Sequence, residues 1–218
     1  MELTTKQLKR VEDFLNTKDI TYVDIRMEVF DHIVSDIEAK MITDNLDFET
    51  VFYDVAEKWH KHLKHDSSFY FGIIYSLPKI VLVKAEKSFK KWFFLSFLTF
   101  LIPLFLTDKI EFIFSETIEK GLNLFCQVIT VLIFIIFAFL FILKLKENKK
   151  TTYSFILKTQ SWNLVLGFII LFDYNYLNNQ GTINVFQVSL LIFFIFSTYI
   201  YFHFYKKHKE VINKYKIS

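Results

Sequence analysis

Five residues near the start of the chain carry side chains able to hold a cation or meet a basic surface: Glu28, Asp31, His32, Ser35 and Asp36. They recur at steps of one, three and four, so on a helix they form one stripe, with His32 a turn after Glu28 and a turn before Asp36. Three readings fit. The stripe is a partner-binding face led by Glu28, Asp31, His32 and Asp36; or a weak metal site of His32 with its flanking carboxylates; or a solvated face whose acids pair with nearby bases. No second His or Cys stands at ligand spacing on that helix, so neither a metal nor a cofactor is expected. A second cluster, His60, His62 and His65 in WHKHLKHD, closes a helix. Residues two apart on a helix point about 200° apart, so these cannot converge on an ion. They suit the negative end of a helix dipole, with titration near neutrality as the functional alternative.

Around these residues three helices are expected. Thr4 with Gln7 three positions on forms a capping box, and Leu3 is placed to staple onto Leu8; Val11, Phe14 and Leu15 continue that helix until NTKDI. The second carries Val23, Met27, Phe30, Val34, Ile37 and Met41 as an apolar seam. The third opens after Asp47 and offers Phe48, Val51, Phe52, Val55, Ala56, Trp59 and Leu63. A bundle of this size is marginal alone and is expected to lean on the rest of the chain or on a partner.

The remainder has a different solvent. Gly121 to Leu143 is 23 residues without a charge, and Asn184 to Tyr205 is 22 residues without Asp, Glu, Lys or Arg. Either is long enough for the roughly 30 Å hydrocarbon core. Residues 1–66 hold 9 Lys and Arg against 15 Asp and Glu, whereas 67–218 hold 17 against 8, which marks a domain boundary near Asp66. Lysines gather before the first span (Lys84, Lys87, Lys90, Lys91), between the second and third (Lys144, Lys146, Lys149, Lys150, Lys158) and after the fourth (Lys206, Lys207, Lys209, Lys214, Lys216). The loops between carry few: Lys109 and Lys120 stand among four acids, and Asp173–Ile183 has none. The positive-inside rule then puts both termini in the cytoplasm, with four spans at about 92–107, 122–143, 159–177 and 184–205. The first contains Pro103 and is short, so it draws on Lys90, Lys91 and the continuation IEFIF; the third has Asp173 near its end.

The expected architecture is therefore all-α: an acidic cytoplasmic three-helix bundle over 1–66, an interfacial basic amphipathic linker over 67–91, and a four-helix transmembrane domain over 92–218. The run FYFGIIYSLPKIVL at 69–82 reads as interfacial, because a fifth span would break the lysine asymmetry. Lys84, Lys87 and Lys91 share a helical face opposite Val81, Ala85, Ser88 and Trp92, which suits anionic lipid, though the same lysines serve equally as ordinary span flanks. A polar opening, MELTTKQLKR, gives no expectation of a signal peptide, and the single Cys126 gives none of a disulfide.

The run DIRMEVFDHIVSDIEAKM followed by DFETVFYDVAEKW resembles the HAAS-type helical domain of bacterial membrane proteins. The matching positions are Glu28, Asp31, His32 and Asp36, then Phe48, Val55 and Ala56; where such domains carry a linker glycine, this chain has MITDNLDF. The resemblance covers about a quarter of the chain. It implies a signalling or regulatory adaptor in the bacterial cytoplasmic membrane that binds a protein partner. The membrane half resembles no named family.

No enzyme is expected. A phosphate loop, a nucleophile elbow, a metalloprotease pair and a catalytic carboxylate pair are all missing from the sequence, and charge alone gives no ground for nucleic-acid binding. Within the spans only Asp173 and His203 are ionisable, both near span ends. Gln127, Thr130, Asn163, Gln187, Ser189, Ser197 and Thr198 are candidate interhelical hydrogen-bonding groups. The partners expected are the lipid bilayer, an unidentified protein and, compatibly, a second copy in a homo-oligomer. The alternatives are a subunit of a transport or export complex and, behind it, a membrane enzyme or channel using Asp173 and Gln187.

Overall fold

A computed structural model describes residues 2–107, 113–172, 175–178 and 180–215. Asp173, Lys109, Lys216 and most of IEFIF lie outside the described residues. Among the described residues the protein is mostly helical, as expected, with α1 (Thr5–Thr17), α2 (Val23–Thr43), α3 (Phe48–Leu63), α4 (Lys79–Thr107), α5 (Glu116–Leu145), α6 (Thr152–Gln160), α7 (Asn163–Phe172) and α8 (Val185–Lys214). The exception is a small hairpin of β1 (His65–Ser68) and β2 (Gly72–Pro78). Two compact units result: Met1–Ser88 with Lys149–Phe155 and Glu210–Ser218, and Phe89–Asn148 with Ile156–Lys209.

In the first unit the helix ends follow from their caps. Thr4 N–H donates to Gln7 Oε1 at 2.8 Å, and Gln7 N–H donates back to Thr4 Oγ1 at 3.4 Å, closing the expected capping box. Asp47 Oδ2 accepts from the backbone of Glu49 and Thr50 at 3.1 and 3.3 Å. Two non-glycine residues turn the chain with left-handed backbone, Asp19 and Asn45, each at φ 52°. Asn and Asp tolerate that region best among L residues, so Asn45 gives the α2–α3 linker its turn without a glycine.

The core is Val11 and Leu15 of α1, Ile25, Val29, Ile33 and Ile37 of α2, and Val51, Phe52, Val55 and Leu63 of α3. The seam expected on α2 is thus rotated. The buried line runs through Ile25, Val29, Ile33 and Ile37, with Phe30, Val34 and Met41 at its margin, while Met27 is 44% exposed. Both lines are apolar in sequence, and the β-branched one takes the centre because stiff, compact side chains fill the closest approach between helices. Val81 is fully buried in the same core, and Leu77 and Ile80 pack against it. The bundle therefore leans on the chain just beyond it.

Residues 69–82, expected as an interfacial segment, are a hairpin running into the start of α4. The aromatic and β-branched run pairs as a hairpin, His65 opposite Pro78 and Ser67 opposite Ser76, with Gly72 at φ 88° where the register slips beside Ser68. Phe71 and Tyr75 pack on Phe155, ring centroids 5.0 and 5.9 Å apart. The basic helix that follows is not a separate element either: α4 runs unbroken for 29 residues from Lys79, through Pro103.

In the second unit the third apolar stretch starts and ends earlier than its sequence pattern indicates. It is two helices, α6 and α7, parted at Ser161, whose Oγ donates to Lys158 O at 2.7 Å. The residues after it turn back on themselves, Asn184 N–H donating to Tyr176 O at 2.8 Å. Gly181 sits there at φ 73°, and a Cβ on it would lie 2.2 Å from Phe114 O. Gly167 of α7 meets α8 and α5 so closely that a Cβ would stand 2.6 Å from the Phe194 ring and 2.8 Å from the Phe134 ring. Among the described residues four stretches are long and apolar enough to cross a membrane: Lys79–Leu106, Glu116–Leu145, Thr152–Phe172 and Val185–Lys214.

Candidate functional site

The polar face of α2 divides along its length. At its start Asp24 is 3% exposed. Its Oδ1 accepts from the Thr152 backbone N–H at 2.9 Å, the first residue of α6. A carboxylate there meets both an orphan amide and the positive end of the helix dipole. Its Oδ2 lies 3.6 Å from Lys84 Nζ, and Lys84 in turn reaches Glu28 Oε2 at 2.8 Å. Beside it the Val23 N–H donates to Lys150 O at 3.0 Å, and Thr151 and Ser154 exchange backbone-to-hydroxyl bonds of 2.9 and 3.1 Å that cap α6. Burial, reinforced by the charges of Asp19 and Asp24, pushes the Tyr22 phenol up to about 12.

Further along, Asp36 accepts from Lys58 Nζ at 2.9 Å and from the Trp59 indole N–H at 3.3 Å. Burial pushes its carboxyl up, but those two hydrogen bonds and the charges of Lys58 and His32 outweigh this and hold it below its ordinary value. The His32 ring stacks on Trp59, centroids 6.4 Å apart and 22° from parallel. Asp31, His32 and Ser35 are exposed. The four residues expected to form a partner face thus lie on one helix but in different states: Glu28 engaged by Lys84, Asp36 by α3, Asp31 and His32 turned to solvent.

The three lysines expected on lipid also part company. Lys84 faces the acids of α2, while Lys87 and Lys91 are exposed. Of the histidines, His60 Nδ1 lies 3.0 Å from Lys18 Nζ, His62 sits edge-on to Trp59, and His65 opens β1. Among the described residues no group of three His, Cys, Asp or Glu side chains could hold a metal ion.

In the second unit the polar side chains mostly serve packing. Thr130 Oγ1 meets the Tyr176 hydroxyl at 2.5 Å, but Thr198 donates to Phe194 O of its own helix and Asn163 to nearby Gln160. His203 packs on Trp92 with ring centroids 4.8 Å apart. The residue that sequence reasoning passed over is Asn123. Its Oδ1 accepts from Tyr176 and Leu177 N–H at 2.8 and 2.9 Å, and its Nδ2 donates to Leu177 O at 3.3 Å. An amide in the first turns of an otherwise apolar helix was the available signal. Asp24 was passed over too, because among so many acids nothing local sets it apart.

Comparison with protein-family models, with curated proteins and with solved structures returns no match.

Proposed function

We propose that the protein is a multi-pass adaptor or regulator of the bacterial cytoplasmic membrane. Its four apolar stretches anchor it with both termini inside, and its acidic helical domain, of HAAS type, binds a protein partner through the α2 face. The reading rests on one observation above all. Asp31, His32 and Ser35 stay exposed on a helix whose other acids, Asp24, Glu28, Asp36 and Glu38, are each taken up by the protein's own bases and amides. A basic or hydrogen-bonding partner has Asp31 and Ser35 to meet while His32 keeps its stacking on Trp59. No catalytic role is assigned to the chain, and no nucleic acid.

The test is affinity purification of the tagged protein from native membranes, with an Asp31→Lys/Ser35→Lys copy beside it. A partner captured by the first and lost from the second supports the reading; identical capture by both overturns the α2 face.

A second reading, a subunit of a transport or export complex, draws on the uneven covering of the apolar stretches. Only 11% of the Lys79–Leu106 window and 17% of the Glu116–Leu145 window is buried, against 44% for Val185–Lys214. Identical capture of a transporter by both copies would favour it.

A further inference from the structure

The hairpin leaves its apolar tip uncovered. Phe69 is 81% exposed, Ile73 82% and Ile74 76%. From Ser67 to Pro78 the chain has no charged residue at all. A two-stranded hairpin is marginal in water on its own, and a large exposed apolar patch marks a surface that meets something other than water. The hairpin is nonetheless fixed in place. Phe71 and Tyr75 pin one side of it to Phe155, Lys79 N–H donates to Lys64 O at its base at 2.9 Å, and near the tip Ser68 Oγ hydrogen-bonds Glu86.

These anchors say where the tip lies. The base of the hairpin adjoins Lys79, the first residue of α4, while its tip is held at Glu86, so the hairpin folds back along α4 in the direction α4 runs. Six residues beyond Glu86 stands Trp92, where the apolar part of α4 begins, about 9 Å further at 1.5 Å per residue. On α4 itself the tip is thus held within two turns of the point where that helix turns apolar. Lys87, exposed on α4 next to Glu86, brings a positive charge to that level, which complements an anionic headgroup layer.

We propose that Phe69, Ile73 and Ile74 form a wedge inserted into the headgroup–acyl boundary of the inner leaflet. The partner is the lipid surface itself, met by a hairpin and not by the flat basic helix that the sequence pattern indicates. Aromatic and aliphatic side chains beside lysine are the composition such shallow insertion uses. The wedge is independent of any protein partner, and rests on the proposed reading that α4 crosses the bilayer with the N-terminus inside.

The experiment uses the full-length protein with Cys126→Ser, carrying one nitroxide label at Ile73→Cys, in nanodiscs of phosphatidylethanolamine and phosphatidylglycerol. Collision with dissolved oxygen is compared with collision with a water-soluble nickel chelate. A label at Tyr53→Cys on α3 serves as the aqueous reference, and one at Ile102→Cys in the apolar half of α4 as the membrane reference. The expected result is an oxygen-to-nickel ratio at position 73 several-fold above that at 53 and below that at 102. A ratio equal to that at position 53, with 102 still oxygen-rich, overturns the wedge while leaving the spans intact. An aqueous ratio at 102 overturns the span reading instead, and the wedge with it. Low accessibility to both reagents at 73 means protein covers the tip and overturns the proposal, and spectral narrowing on dilution with unlabelled protein would identify a second copy as that cover.

Discussion

The two ends of α2 carry the same kind of side chain and put it to opposite uses. At the start, Asp24 is buried, bonded to the first amide of α6 and faced by Lys84. Two to three turns later, Asp31 and Asp36 stand at or near the surface, one in solvent and one in an exposed pair with Lys58. Charge count cannot tell them apart. What separates them is which element packs across from each, since a carboxylate facing a helix N-terminus and a lysine is worth keeping buried, whereas one facing water contributes almost nothing to stability.

That contrast can be broken most forcefully at Asp24. Asp24→Ala leaves a buried amide unbonded and Lys84 half-paired, so it should destabilise the first unit by about 3 kcal/mol, visible as a lower thermal midpoint by Trp59 fluorescence in a Trp92→Phe/Trp162→Phe background. No change would mean the carboxylate is not anchoring α6. Glu28→Ala removes only the exposed arm of the Lys84 contact and should cost about 0.5 kcal/mol, read in the same melt; a loss as large as that of Asp24→Ala would erase the distinction between them.

Acid titration sharpens the contrast at Asp36. Its folded-state value is depressed, so its contribution is present above the unfolded carboxyl value near 4 and is lost as pH falls through the lower folded value. Unfolding midpoints of wild type and Asp36→Asn should therefore differ modestly at pH 7 and converge as pH falls through the lowered folded value. A gap that persists in acid would assign the effect to geometry, not charge. The smallest effect belongs to Asp31→Lys, within about 0.5 kcal/mol of wild type, with circular dichroism unchanged while partner capture is lost.

How far the sequence carries depends on the distance over which each feature is decided. Caps at Thr4 and Asp47 are settled within four residues, and both were legible. The core line of α2 was not, because 23/27/30/34 and 25/29/33/37 are both apolar and only the packing of α1 and α3 selects between them. The hairpin hid inside an apolar run because Phe71 and Tyr75 are steadied by Phe155, some eighty residues away. At the candidate site, the stripe of acids and His32 was visible from spacing. Its division into engaged and open halves was not, since Lys84 and Thr152 belong to other parts of the chain.

The bond from Thr152 to Asp24 spans 128 positions, and that separation sets a timetable for biogenesis. At ribosomal rates of about 5–20 residues per second, roughly 6 to 25 seconds pass between the two residues' syntheses. Through that interval Asp24 has no α6 amide to meet: the bundle gains Val81 for its core and Lys84 for its polar face as α4 emerges, but stays unsealed while α5 is being made. Closure awaits the emergence of α6. Chains arrested between residues 90 and 150 would carry an open Asp24, and the nascent protein would display its engaged and its solvent-facing acids alike until the later helix arrives to sort them.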